Sequence, residues 1–333
     1  MGPVYAALDD RLLVVHGERR SHCAQETAWD ATECLVDHQL ECVAASPDAP
    51  ERVFAGTVEA GLQRSVDGGT HWEGVGSFQD RVTAVTVSPH NPDVVWVGTE
   101  PSAVYRSTDG GGTFEQCGGL TDLPSTDRWS FPPRPETHHV RWLAVNPHDP
   151  AHIYVAIEAG AFVRSVDGGG TWQPHPGGAR RDNHTLATHP EDPCRVYAAA
   201  GDGYAESPDC GDTWRQPRGG PDHRYVWGLA VDAEDPERVV VSAARGARSA
   251  HTPATAESYV YRTTEDGWTV AMDGLPEPSG TVRAVLAAGA DGGTFFALTN
   301  HGLFRSLDGA ASWHRLAVPW LDGDPVGRGL AVT

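Results

Sequence analysis

One nine-residue stretch limits what this chain can fold into: Arg164-Ser165-Val166-Asp167-Gly168-Gly169-Gly170-Thr171-Trp172. It returns as SVDGGTHW at Ser65 to Trp72, STDGGGTF at Ser107 to Phe114, SPDCGDTW at Ser207 to Trp214 and SLDGAASW at Ser306 to Trp313. A worn copy, TTEDGWTV, spans Thr263 to Val270. The acidic positions Asp67, Asp109, Asp167, Asp209, Glu265 and Asp308 are 42, 58, 42, 56 and 43 residues apart. Three of those gaps match the roughly 40–45 residues of a four-stranded propeller blade, and the two long ones read as a blade plus an insertion.

Each unit repeats one grammar. An apolar strand such as 82–87 leads into a Pro- and Asp-rich turn, a second strand, a break, a third strand, the repeated box and a fourth strand. Asx and Pro signals of this kind sit between strands. The units run 39–77, 80–117, 138–177, 182–218, 223–274 and 281–318, with insertions at 118–137 and 246–257. Residues 1–38 form a seventh unit with its box eroded and no obvious first strand. Residues 326–333, ending Gly329-Leu330-Ala331-Val332-Thr333, supply that strand. The expectation is an all-β, seven-bladed propeller over 1–333, closed by both chain ends so that no edge strand is left open. Erosion of the terminal units keeps six or eight blades open.

Within the box, Ser and Asp side chains bond to nearby backbone, glycines permit positive φ, and Trp fills the gap between blades. Every part serves a turn, so Asp67, Asp109, Asp167, Asp209 and Asp308 are read as structural. The triple glycines lack the following helix of a phosphate loop. The recurring S-x-D-G-G-x-T-W resembles the Asp-box, or BNR repeat, over essentially the whole chain. That superfamily includes sialidases, xyloglucan-type glucanases, sortilin-like receptors and photosystem II assembly factors. The resemblance implies the fold and leaves the activity open.

The chain carries 25 basic against 45 acidic residues, net −20, and every basic residue is Arg. Such a surface repels nucleic acid and anionic membranes. No apolar run reaches the roughly 20 residues of a membrane span. The start lacks a secretory pattern, and the six cysteines, Cys23, Cys34, Cys42, Cys117, Cys194 and Cys210, lack metal or redox spacing. The expectations are reduced thiols, a cytoplasmic location and a monomer.

Aligning the first strands on their V/L-A-V core places Glu41, Thr83, Arg141, His184, Trp227, Arg283 and Arg328 at one level of the central channel. Two residues back lie Gln39, Arg81, His139, Asp182, Tyr225 and Thr281. The second strands end on the same face with Glu59, Glu100, Glu158, Asp202, Arg245 and His301. Both insertions return there, with Trp129, Phe131 and Arg134 as a stiff lid, whereas the boxes fall on the opposite face. A mouth rich in arginine suits an anion, because a guanidinium pairs bidentately with carboxylate or phosphate. The simpler alternative is a wet rim whose arginines pair with neighbouring acids.

The leading functional expectation is a binding module for a small anionic ligand or a protein partner. Its ligand contacts are Arg81, Glu100, Trp129, Arg134, His139, Arg141, Glu158, His184, Trp227, Arg283 and Arg328. An exo-acting, sialidase-like glycoside hydrolase is the alternative. The resemblance then implies Arg141, Arg283 and Arg328 as a carboxylate clamp, with Tyr225 and Glu41 as the nucleophile pair. Against it, the F/Y-R-I-P segment of sialidases is missing and no Asp is assignable as acid. No cofactor is required by the sequence. A divalent metal on His139, His184 or His301, with Glu100 and Glu158, would make a metal-dependent lyase or hydrolase the third class.

Overall fold

The computed structural model describes residues 2–19, 27–78, 80–320 and 325–333. Its strands form seven small antiparallel sheets, arranged as the blades of a propeller. Blade 1 is built from Val4–Leu8, Leu12–Arg19 and Thr27–Cys34, with Gly327–Val332 as its innermost strand. Blades 2 to 7 begin with the inner strands Leu40–Ser46, Arg81–Val87, Val140–Val145, Asn183–His189, Tyr225–Val231 and Val285–Ala288. In blades 4 and 5 the fourth strand shrinks to a single bridge, Arg164 to Gln173 and Glu206 to Arg215. The only α-helix among the described residues is the short Ala247–His251, inside the insertion of blade 6.

The two chain ends meet in blade 1. Gly327–Val332 runs antiparallel to Val4–Leu8, pairing Val4 with Val332 and Ala6 with Leu330, and the Gly2 N–H donates to Thr333 O at 2.7 Å. Val4–Leu8 is buried along its whole length. A strand of such apolar character has backbone groups that must be paired on both sides, and the C-terminal strand pairs the inner one.

Packing follows the ring. Second strands such as 95–100 and 153–157 are buried at every position because both faces press on neighbouring blades. The apolar residues sort into seven clusters, and each cluster fills one gap between adjacent blades. Box tryptophans sit in these gaps. Trp172 packs between blades 3 and 4 and donates to Gly118 O, and Trp313 packs between blades 6 and 7 and donates to Ala271 O.

The box closes on the same Ser and Asp bonds five times, with His71 in place of a hydroxyl in the first copy. In the central copy Ser165 Oγ donates to Asp167 Oδ1 at 2.8 Å and accepts the Gly169 N–H at 2.8 Å. Asp167 then accepts the Thr171 N–H at 2.8 Å and the Thr171 hydroxyl at 2.7 Å. Asp67, Asp109, Asp209 and Asp308 bond in the same way to residues four further on. The residue after each Asp takes a left-handed φ of 58–72°, held by glycine in four copies. In the fifth it is Cys210, which forms a disulfide with Cys194. The expectation of six reduced thiols therefore fails for this pair. The two half-cystines are 16 apart in sequence but meet because the second strand of blade 5 and its box turn lie side by side. Cys34, Cys42 and Cys117 are free thiols, and Cys23 lies outside the described residues.

Two outcomes are expected. Deleting residues 327–333 should abolish the single cooperative thermal transition in calorimetry and produce aggregates in size-exclusion chromatography, because it strips the inner edge of Val4–Leu8. The hydrogen bonds donated to Asp167 hold its carboxyl at about 2, below the ordinary 3.8, and Asp67 and Asp308 are held equally low. Carboxyls depressed by folding stabilise above about pH 4, and that contribution disappears as pH falls through about 2. In an acid titration followed by circular dichroism, Asp67→Asn/Asp167→Asn/Asp308→Asn should lose less stability between pH 4 and 2 than the unaltered chain.

Candidate functional site

Inner strands of this fold carry a recurring irregularity. The pairing register slips between Leu40 and Cys42, Val82 and Ala84, Val140 and Trp142, Asn183 and Thr185, and Val226 and Leu229. The skipped residues are Glu41, Thr83, Arg141, His184 and the pair Trp227-Gly228. The closing strand slips likewise, leaving Arg328 between the paired Gly327 and Gly329. Blade 7 starts its strand at Val285, so Arg283 precedes it. A β-bulge leaves one residue out of the ladder and re-aims its side chain. Five blades thus turn one polar or aromatic residue toward the channel at the same level, whereas the skipped His184 of blade 5 stays buried behind the cavity wall.

These residues surround a cavity of about 1220 Å³ at the channel mouth. Glu41, Thr83, Arg141, Trp227, Arg283 and Arg328 line it, together with Arg81, Glu100, His139, Glu158, Asp182 and Tyr225. No box residue does. Both insertions contribute as expected from the sequence: Phe131, Pro132, Pro133 and Arg134 from one, Ala247, Arg248, His251 and Thr252 from the other.

The lid needs one correction. Trp129 does not face the cavity; it is buried in the apolar gap between blades 3 and 4. The lid is fastened instead by Arg134, whose Nε and Nη2 reach the two oxygens of Glu100 at 2.7 and 2.6 Å. The Arg134 guanidinium also covers Phe131 at 4.7 Å, and Phe131 sets its edge against His139 at 4.6 Å. Arg81 pairs with Glu41 at 2.8 Å.

A belt of contacts continues round the mouth. His139 Nε2 meets Glu158 Oε2 at 3.0 Å, and Arg141 Nε stands 3.6 Å from the same oxygen. Arg141 and Arg283 both lie over the Trp227 ring, at 4.8 and 4.5 Å. Arg283 is 1% exposed and gives one hydrogen bond, from Nη1 to Gly327 O at 2.9 Å. Among the described residues, no carboxylate pairs with Arg283 or Arg328, and the Nε atoms of both are buried without a partner. Burial, and then the charges of Arg328 and Arg141, push the Arg283 guanidinium down to about 9.

Tyr225 and Glu41 do not form a nucleophile pair. Glu41 is engaged by Arg81, while the Tyr225 hydroxyl meets His251 Nε2 at 2.9 Å. Burial drives the Tyr225 phenol upward, and burial with the Arg283 charge drives His251 down to about 2. The Tyr225 hydroxyl is thus engaged with His251 and not with Glu41. His301 stands apart, with Nε2 3.2 Å from Gly280 O. His184 lies beneath the cavity wall, fully buried, with Nδ1 2.7 Å from Val226 O.

The carboxylates differ in character. Burial works against ionising Glu158, but His139, His184 and Arg141 outweigh it and hold the carboxyl at about 2. Burial opposes ionisation of Glu100 as well, and Arg134, His139 and Arg81 pull it below the usual range. Asp182 moves the other way, raised by burial and by the neighbouring charge of Glu158. Sequence reasoning missed His251 and Arg248; the insertion that carries them was assigned to the mouth, but a single His in a short helix has no periodic signal.

Arg134→Ala should free the lid. Charge-assisted hydrogen bonds of this kind contribute about 2 kcal/mol, which corresponds to roughly 30-fold faster amide exchange across 126–137. Hydrogen exchange read by mass spectrometry checks it, with the box turns as an unchanged internal reference.

No family model matches the chain, and no curated protein matches it in sequence. Solved structures do match in shape. An ancestral GH74 enzyme superposes with a TM-score of 0.65 at 18% identity, covering 88% of this chain and 38% of its own. The GH74 enzyme of Niastella koreensis gives 0.60 at 18% identity, covering 83% and 46%. The chain therefore spans less than half the length of either enzyme. YCF48 bound to D1 peptide gives 0.58 at 16% identity, covering 88% of this chain and 92% of its own. At these identities the likeness is one of fold, and the chain is a seven-bladed β-propeller.

Proposed function

We propose that this protein is a binding module that takes an anionic group, a carboxylate or phosphate, into the channel mouth against Arg141, Arg283 and Arg328. The observation that carries the reading is the burial of Arg283 beside Arg328 with no carboxylate partner for either among the described residues, on a chain of net charge −20. A buried cation left uncompensated is strongly unfavourable, and an anionic ligand supplies the missing charge. Trp227 holds two of the guanidinium groups in place, so little side-chain entropy remains to be lost when the anion enters. The repeated Ser, Asp and Thr bonding pattern supports assignment of the turns to the Asp-box type and of the chain to that superfamily.

A cavity of 1220 Å³ has room for more than a single inorganic ion. Either a small organic acid or the end of a peptide fits that space, and YCF48, a propeller of similar fold, binds a peptide. A hydrolytic reading is the alternative. A general acid needs a raised carboxyl; Glu100 and Glu158 are both lowered, and Asp182 beside them is raised, so Asp182 would have to be the acid.

A thermal-shift screen tests the reading with phosphate, di- and tricarboxylates, and peptides ending in a free carboxylate or an amide. A ligand at a hundredfold excess over its Kd should stabilise by about 2.7 kcal/mol. Arg141→Ala/Arg283→Ala should remove the shift, and amidation should weaken any peptide that binds through its terminus. Equal shifts in the double variant, or binding unaffected by neutralising the ligand, would overturn the proposal.

A further inference from the structure

Beneath the arginine wall, three ligand-type side chains from blades 4 and 5 converge. Glu158, Asp182 and His184 each offer an atom within 4.8 Å of the other two. His184 is the informative member. Its Nδ1 lies 2.7 Å from the Val226 carbonyl, an acceptor, so Nδ1 carries the hydrogen and Nε2 presents its lone pair. That Nε2 is fully buried and has no hydrogen-bond partner among the described residues. The group it faces is another acceptor, Asp182 Oδ1, at 3.7 Å.

Two lone-pair atoms aimed at each other repel unless a proton or a metal ion stands between them, and at 3.7 Å the two are too far apart to share a proton in a hydrogen bond. Glu158 strengthens the conflict. His139 and Arg141 both address its Oε2, and its Oε1 takes no hydrogen bond from a described residue. The ring of His184 cannot swing away, because Trp227 at 4.2 Å and Tyr225 at 5.0 Å flank it.

We propose that Glu158, Asp182 and His184 form a binding site for one divalent transition-metal ion, with His184 Nε2 and one oxygen from each carboxylate as ligands. An imidazole with two carboxylates suits Zn²⁺ or Mn²⁺ better than Mg²⁺ or Ca²⁺, which take oxygen alone. Metal-bound histidines characteristically give their other N–H to a carbonyl or carboxylate, as His184 does to Val226. The two carboxylates balance the charge of the ion. Bonds of about 2.0–2.2 Å require the three atoms to draw inward from their present spacing; Asp182, the least buried of the three, accepts the Ala159 N–H on Oδ1 at 2.9 Å and would close on the ion by bending that bond or by presenting Oδ2. Asp182 and Glu158 also line the cavity, so the remaining coordination positions open on the mouth, the arrangement of a site that receives water or ligand. The inference does not depend on the anion reading.

The test uses the full chain, stripped with EDTA and exchanged into chelator-free buffer. Calorimetric titration with ZnCl2, and Mn²⁺ titration followed by electron paramagnetic resonance, should each reveal one tight equivalent. Asp182→Asn and Glu158→Gln should weaken it at least roughly tenfold, while their metal-free circular dichroism matches the unaltered chain. A measurement without substitution guards against misfolded variants. In 15N-histidine-labelled protein, one equivalent of Zn²⁺ should shift a single buried Nε2 resonance whose ring keeps its Nδ1–H. No binding of either ion below millimolar concentration overturns the proposal, as does binding unchanged in Asp182→Asn, which would assign the ion to surface histidines. Loss of the anion response in Arg141→Ala/Arg283→Ala with metal binding retained would leave the two sites separable.

Discussion

The pairing of Gly327–Val332 with Val4–Leu8 is the constraint on which this molecule depends. Seven wedge-like sheets close into a ring only if the last inner strand finds its place beside the first blade. Each inter-blade gap is a separate apolar cluster, and none spans the ring. Cohesion is therefore nearest-neighbour in kind, as in other repeat arrays. Without closure the array would end in two unpaired edges, and the inner strands would lose the common level at which their bulges sit.

That level is what makes a site. A regular inner strand would alternate its side chains between the two faces of its blade and point none of them down the channel. The register slip at Glu41, Thr83, Arg141, Trp227 and Arg328 converts a packing position into a channel-facing one. The irregularity is repeated, so it belongs to the blade plan. What varies is the residue placed on it, and that variation gives the mouth its chemistry while the scaffold stays fixed.

Much of this was legible in the sequence because it is periodic. The box spacing marked six blades in order and the two chain ends suggested the seventh, with six or eight left open, and the aliphatic positions at Val85, Leu143, Leu186 and Leu229 anchored an alignment that brought the bulged residues to one level. The parts that were not legible lack period. Trp129 reads as a lid aromatic beside Phe131, yet its indole drops into the gap between blades, since only the folded insertion decides which of two neighbouring aromatics faces the cavity. Cys194 and Cys210 carry no spacing signature, and their meeting depends on the second strand of one blade lying beside that blade's box turn. The partners of Tyr225 and Glu41 are cross-blade choices, set by distances that a one-dimensional pattern does not contain.

The absence of lysine on this chain bears on how the mouth tolerates its charges. An ammonium buried as deeply as Arg283 would shed its proton readily, since lysine shifts easily when desolvated. A guanidinium starts from a much higher value, so burial and two like-charged neighbours still leave Arg283 at about 9, charged at neutral pH. Its flat face also stacks on Trp227, an arrangement a lysine side chain reproduces poorly. On the proposed anion reading the acidic surface then plays a specific part: seen from a distance it disfavours anions generally, so an anion would be retained only by reaching the arginines at short range, beside the lid clamped by Arg134 and Glu100. Selectivity on such a molecule comes from geometry at the mouth, with the long-range field acting against indiscriminate binding.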